Sequence, residues 1–484
     1  MGRMGSGRFT ADSPADLAFP PRTASSIGRL PFRHDRGSAP IDELRAVVTL
    51  RRVVLFAGCG SMLCVLWVLP AGATTSPVRS WTRVIGAAAS GTIPSSVSAG
   101  PNGYVYVAGR TTGSLGGRPN AGGNDAYVAK YGPGGVQVWL QEFGSAQDED
   151  ASVQVSNAGY LYVGGPTGGL LTGTTPGGTY LARYDTNGTR QWIVQFGGAA
   201  QAGLRPAATD AAGNVLLVGA ALGSVNGQPA HGGTDFVVAK YNPQGQELWT
   251  RQIGTPGFEL GTDLAVDDAG NAYAVGVTDA GAPGTGRNGL VVRIDADGTV
   301  RWQRQLASFG NDIANGVTFD RSVGGVFVTG TTNGALDGNQ NACAPGCVTG
   351  PSVDYFLSRF DVTGTKQWTR QVGSQQFRYS QDDAHSVTDD DHGHIFVAGT
   401  TTGSLGGSGH VDNAGDAFVA EFDATGNSLG THKEFTDQVD VGVDVASSQS
   451  GVVYLTGWTF GQMNGWPNPS GTREATFLVK LSYP

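Results

Sequence analysis

The sequence predicts an all-β fold, a seven-bladed β-propeller of four-stranded blades closed by an outer strand from near the N-terminus. Three observations predict it. A glycine-framed apolar unit recurs seven times; a basic residue and then a Trp follow it at regular distances; and the final copy lacks an element that stands alone near residue 80. A fixed period of some tens of residues signals a repeat architecture, in which each copy buries its apolar face against its neighbours.

The framing element is a pair of glycines six residues apart: Gly103/Gly109, Gly159/Gly165, Gly213/Gly219, Gly270/Gly276, Gly324/Gly330, Gly393/Gly399 and Gly451/Gly457. Midway between them stand Tyr106, Tyr162, Leu216, Tyr273, Phe327, Phe396 and Tyr454, all bulky and apolar. Two positions past the second glycine comes Thr111, Thr167, Thr278, Thr332, Thr401 or Thr459, with Ala221 the exception. Period-2 alternation through these runs is the mark of strands, and the first glycine suits the positive φ of a tight hairpin.

The second element alternates aromatic or aliphatic residues, then gives Lys or Arg, a large apolar residue, Asp-x-x-Gly or a near variant, and Trp. Tyr127-Val128-Ala129-Lys130-Tyr131 leads in this way to Trp139, and equivalent blocks lead to Trp192, Trp249, Trp302 and Trp368. The sixth copy has drifted most, with Glu421 for the basic residue and Leu429 for Trp. An EF-hand reading of the Asp-x-x-Gly turns needs several more ligands and a closing Glu.

Copy seven stops after Phe477 to Lys480. Its missing string, Trp-x-Arg-x-Ile-Gly, occurs alone as Trp81-Thr82-Arg83-Val84-Ile85-Gly86. A strand from the opposite terminus would complete that blade and leave the ring without an open edge. The expected propeller spans 78–484, with the closing strand at 80–86 and blades near 95–144, 151–197, 205–254, 262–307, 314–373, 384–434 and 441–484.

Residues 1–52 read as a basic, aperiodic extension, or as the product of a start codon assigned too early. Arg51-Arg52, the apolar run Val53 to Leu69 and Ala71-Gly72-Ala73 form a secretory signal peptide over 53–73, or an anchor if uncleaved. Either reading exports the repeats to the cell surface, the periplasm or the medium. Nine Arg and five acids in residues 1–52 leave 22 basic and 35 acidic residues for the remainder, a net charge of −13. That sign, without a Lys/Arg cluster, excludes nucleic acid as a partner.

Variation concentrates in the loop between the second and third strands, short in copies two and four and long elsewhere. Variable loops on a rigid scaffold are where binding is expected. Asn120, Asp125, His231, Asp235, Asp354, His410 and Asp416 are the candidate ligand-binding residues. The four Asp residues each open a third strand, and either ring a cation or accept hydrogen bonds from their own loop amides. The densest cluster of possible metal ligands holds His385, Asp389, Asp390, Asp391, His392 and His394, with Asp391, His392 and His394 as the candidate metal residues. Cys343 and Cys347, the cysteines outside the N-terminal segment, are expected to form a disulfide. No cofactor is predicted, and calcium or another divalent ion is the ion such clusters would take.

The unit G-x-x-Y-V-x-G-x-T, followed by G-S-L-G-G-x-x-N-A-G-G-x-D-A-Y-V-A-K-Y and W-x-x-x-F-G, resembles the SBBP β-propeller repeat of bacterial exported proteins over residues 78–484. That resemblance implies an exported or surface-associated propeller and no shared catalytic residues. The turn leading to Trp is also similar to the tryptophan-docking repeats of quinoprotein dehydrogenases. Those are typically eight-bladed and carry an adjacent-cysteine disulfide that has no counterpart here.

No G-x-S-x-G, H-E-x-x-H or phosphate-binding loop occurs. The function expected is therefore a monomeric, non-catalytic scaffold binding a glycan, protein or cell-envelope partner through its long loops. A polymer lyase or hydrolase with a site at the central axis is the alternative, because such a site gathers single residues from several blades and leaves no linear motif. A quinone-dependent oxidoreductase is the second alternative.

Overall fold

The seven glycine-framed units each become one four-stranded antiparallel sheet. The structure is a computed structural model that describes residues 76–173, 175–197, 203–281, 286–339, 352–374, 380–405, 414–448 and 451–483. The extension and the 53–73 segment lie outside the described residues. Blade 1 runs from β2(Thr92–Ala99) to β5(Gln137–Phe143), blade 2 from β6(Ser152–Val155) to β9(Arg190–Phe196), and blade 3 from β10(Leu204–Thr209) to β13(Glu247–Ile253). Blade 4 runs from β14(Glu259–Val266) to β17(Val300–Leu306), blade 5 from β18(Asp312–Asp320) to β21(Lys366–Val372), and blade 6 from β22(Asp382–Asp389) to β25(Ser428–Glu434). Blade 7 has the order β26(Asp440–Ser448), β27(Val452–Thr459), β28(Ala475–Ser482), β1(Val78–Ile85), so the N-terminal strand closes it. β1 pairs antiparallel with β28, Trp81 opposite Lys480 and Val84 opposite Phe477.

The two glycines of each frame do different work. The first has positive φ in all seven copies, from +56° at Gly324 to +91° at Gly393, as the tight turn between the first two strands requires. The second lies where strand two presses on strand one. A Cβ on Gly276 would sit 1.9 Å from the Leu260 carbonyl oxygen, and one on Gly399 would sit 1.8 Å from that of Asp383. A side chain there would push the two strands apart. In six blades the first strand also bulges, and in blades 1 and 4 to 7 the bulge lies just past the residue facing this glycine, as between Gly261 and Asp263 and between Ala384 and Ser386.

The central aromatic packs on the Trp of its own blade, ring centroids 5.9 Å apart for Tyr106/Trp139 and 6.2 Å for Tyr273/Trp302. The basic residue lies beside them. In blade 1, Lys130 and Trp139 both donate to the Thr186 carbonyl in the Asp-x-x-Gly turn of blade 2, at 2.8 and 3.1 Å. Trp192 and Arg183 grip Pro243 O in the same way, and Trp302 and Arg293 grip Val362 O. The turn glycine lies under the ring: a Cβ on Gly188 would be 3.0 Å from Trp139. In blades 1 to 4 and 7 the basic residue, turn and Trp signature is thus a device by which one blade holds the next.

Seven apolar clusters follow, one per blade interface. The cluster joining blades 7 and 1 gathers Ile85, Val105, Tyr127, Tyr454 and Leu478. Blade 6 departs from the pattern where the sequence drifts. In blade 3, buried Lys240 pairs with Asp210 at 2.9 Å. In blade 6, Glu421 replaces that Lys, and His394 supplies the nitrogen between Asp390 (3.3 Å) and Glu421 (3.5 Å).

Candidate functional site

Antiparallel order puts the loops between strands two and three on the same face as the blade-to-blade connections. Backbone bonds join them: Glu149 N–H donates to Asn124 O, Asp312 N–H to Arg287 O and Asp440 N–H to Gly415 O. This loop face exposes apolar side chains from separate blades: Leu170, Leu222, Trp466 and, at 94% exposure, Phe309. The Arg83 guanidinium stacks 4.9 Å from the Trp466 ring.

The predicted ligand-binding Asp residues turn inward instead of toward this face. Asp125, Asp235, Asp354 and Asp416 are all buried. Asp125 accepts Ala121 N–H at 2.7 Å; Asp235 accepts His231 N–H at 2.8 Å and Gln252 Nε2 at 2.6 Å; Asp354 accepts Gln371 Nε2 at 2.9 Å; Asp416 takes Lys433 Nζ at 3.3 Å. Burial pushes the Asp125 carboxyl up, against the lowering effect of Ala121 N–H. Asn120 is likewise spent inside its loop, on Thr111 O, Gly123 O and Gly122 N–H. His231 is exposed, with its ring 3.9 Å from Asp235. The four carboxylates therefore each tie a loop to its own blade and do not ring a common ion. His410, Cys343 and Cys347 lie outside the described residues.

The first strands of all seven blades line an axial channel of about 440 Å³. Each is a sheet edge whose free N–H and C=O groups would otherwise be unpaired in a narrow space. The bulge solves this by presenting two side chains to the next blade. The bulged residue donates: Thr262 Oγ1 to Ala314 O at 2.7 Å and Asn315 Nδ2 to Ala384 O at 2.8 Å, with His385 Nδ1 2.6 Å from Gly442 O. The following residue accepts: Asp263 from Val317 N–H at 2.9 Å, Asp444 from Val97 N–H at 2.7 Å, and Ser96 from Val153 N–H at 2.7 Å. Burial raises Asp263 to about 7 and Asp444 to about 6, against the lowering effect of these amides.

Arg205 occupies the accepting position in blade 3, where Asp263 stands in blade 4. A guanidinium cannot accept an N–H. Arg205 is exposed to the channel and has no hydrogen-bond or ion-pair partner among the described residues.

The predicted metal residues Asp391, His392 and His394 do not converge. His394 turns to Asp390 and Glu421, and His392 Nδ1 lies 2.7 Å from Asp390 O. Asp391 meets Asp389 of its own blade and Asp320 of blade 5 instead, one oxygen from each within 4.8 Å of the others. Burial raises Asp389 to about 7. Asp320, Asp263, Asp444 and Arg205 escaped sequence reasoning, because each stands singly in an ordinary strand and converges only across blades. The one signal was at the position shared by Asp263 and Asp444, which Ser or Gly holds in blades 1, 5 and 6.

Fold and repeat together define a seven-bladed propeller. The family model for SBBP, a beta-propeller repeat, matches residues 80–116, 248–281 and 367–406, so the chain carries SBBP repeats at three places. Over 235 residues the chain is 25% identical to the regulatory protein FlaEY of Caulobacter vibrioides, a match covering 47% of this chain and 19% of that protein. The chain thus spans about a fifth of that relative's length. Similar solved structures include a protein of unknown function from Dyadobacter fermentans, 11% identical with a TM-score of 0.42 over 84% of this chain and 100% of that one. An ulvan-active polysaccharide lyase is 12% identical with a TM-score of 0.44 over 78% and 93%.

Proposed function

We propose that the chain is an exported, non-catalytic binding scaffold that engages a glycan, protein or cell-envelope partner through its loop face. The observation that carries this reading is Phe309, 94% exposed on a connection between two rigid blades. A large aromatic presented with Leu170, Leu222 and Trp466 on the loop face of a braced scaffold suits the surface of a partner. The loop acids are engaged in bracing their own loops, and the channel acids Asp263 and Asp444 hold backbone amides of the next blade. Both sets are tied to donors of their own loops or of the next blade and do not gather at a shared reacting centre. Support for export comes from the 53–73 segment.

The test is a glycan array and a cell-envelope fraction screened with the wild-type protein and Phe309→Ala. Retention of the wild type and its loss in the variant support the reading. Retention equal in both sinks it.

An axial lyase or hydrolase stays as the second reading on one observation, Arg205 exposed in the polar channel with no hydrogen-bond or ion-pair partner among the described residues. A guanidinium so placed suits an anionic polymer substrate. Turnover of an acidic polysaccharide that Arg205→Ala abolishes would favour it over the scaffold.

A further inference from the structure

We propose that the junction of blades 5 and 6, at the mouth of the channel, is a calcium-class cation site formed by Asp320, Asp389 and Asp391. One oxygen from each carboxylate lies within 4.8 Å of the other two. Oxygens about 2.4 Å from a shared calcium are at most about 4.8 Å apart, whereas the roughly 2.1 Å bonds of magnesium demand a tighter octahedral set.

The repeat supplies an internal control for the second observation, an unpartnered buried oxygen. Asp320 has counterparts at the same hairpin in other blades. In blade 4, Asp267 Oδ2 takes Asn271 Nδ2 at 2.9 Å and the Tyr273 hydroxyl at 3.1 Å. In blade 3, Asp210 Oδ2 takes Asn214 Nδ2 at 2.7 Å and Lys240 at 2.9 Å. In blade 6, Asp390 Oδ2 faces His394 at 3.3 Å.

Blade 5 has lost these donors. The position of Asn271 is Gly325, and Arg359, standing where Lys240 stands, donates to Ala424 O and Val323 O instead. Asp320 Oδ1 is occupied by Ser322 N–H at 2.7 Å and the Ser322 hydroxyl at 2.6 Å. Its Oδ2 has no hydrogen-bond partner, although Asp320 is 0% exposed. An unpaired carboxylate oxygen in such a place is costly.

What blade 6 brings to it is two further carboxylates. Asp389 accepts the Thr318 hydroxyl and Asp391 N–H, and Arg321 balances Asp391 at 3.4 Å while held by Asp268 at 2.7 Å. One guanidinium therefore faces three carboxyl groups. A divalent cation supplies both the missing charge and the missing partner for Asp320, and Asp391, 41% exposed, leaves it a route from solvent.

Calorimetric titration of the full chain with calcium chloride, beside thermal unfolding in calcium and in chelator, tests the site. The expected result is one ion bound with a Kd on the order of 10⁻⁴–10⁻³ M and magnesium bound at least about tenfold more weakly. Calcium should raise the melting temperature by about 1–3 °C. Asp389→Asn and Asp391→Asn should each weaken calcium at least about tenfold, while Asp268→Asn, which removes only the outer partner of Arg321, should keep it. Absence of binding heat and of any melting shift at millimolar calcium overturns the site. So does wild-type affinity in folded Asp389→Asn or Asp391→Asn.

Discussion

Trp81 donates its indole N–H to the carbonyl of Pro133 at 2.9 Å, from the closing strand of blade 7 to the turn between the third and fourth strands of blade 1. Arg83, on the same strand, donates Nε to Gly135 O in that turn at 2.5 Å. The N-terminal strand therefore completes one blade and also couples it to the next. Trp81→Ala should lower stability by roughly 1.5–3 kcal/mol through lost burial and one lost hydrogen bond. Trp81→Phe should recover most of it. Deleting 81–86 should expose β28 as an open edge and lower the melting temperature further; an unchanged melt would refute closure.

The channel clasps make a second prediction. Asp444→Ala leaves Val97 N–H without its acceptor between blades 7 and 1, and should cost about 1–3 kcal/mol in chemical denaturation. Asp444→Asn keeps an accepting oxygen and removes a charge that burial opposes, so it should be close to neutral. Equal losses in the two variants would show that charge, not acceptance, is what the site needs.

These buried acids also set a pH dependence. Asp263 is raised to about 7, and Asp444 and Asp440 to about 6, chiefly by burial. With folded values above the unfolded value of about 3.9, the native state holds more protons than the unfolded chain between those limits. Their stabilising contribution is complete below about pH 4 and is lost as pH rises through 6 to 7. Melting should therefore occur at a higher temperature at pH 5 than at pH 7.5, and Asp263→Asn should flatten the difference. A melting temperature that rises steadily over this range would contradict it. Glu434 works in the opposite sense, lowered by His432, Arg79 and Asn464 against burial, and costs stability only as pH falls toward its folded value.

The buried ion pair of blade 3 predicts an asymmetry. Lys240→Met strands the Asp210 carboxylate and should cost about 3–5 kcal/mol, while the double variant with Asp210→Asn should recover most of that. A double-mutant cycle by urea denaturation reads the coupling directly.

Phe309→Ala should change stability by less than about 0.5 kcal/mol, because so exposed a ring buries almost nothing on folding. Any loss of partner retention in that variant then reports binding and not unfolding, and a matched melting curve checks this.

The sequence by itself determined the ring. Glycine pairs, midway aromatics and the displaced Trp81 to Gly86 string are local necessities repeated seven times: a positive φ at Gly103, a close approach at Gly109, a docking surface for Trp139. Such requirements act through near neighbours or through an identical contact in every copy, so they leave a periodic trace. The candidate site left little: Asp389 and Asp391 stand together in the sequence, but nothing there joins them to Asp320. Asp320, Asp389 and Asp391 converge across a blade interface, and the loop acids Asp125 and Asp235, which looked available for a ligand, turned out to be spent on their own loops. Arg205 became distinctive only once it stood where Asp263 and Asp444 accept an amide. Which side chain faces a partner, and which is left without one, depends on the bulge that sets the stagger between first strands. That stagger is a property of the closed ring, because only packing between neighbouring blades decides which edge groups meet.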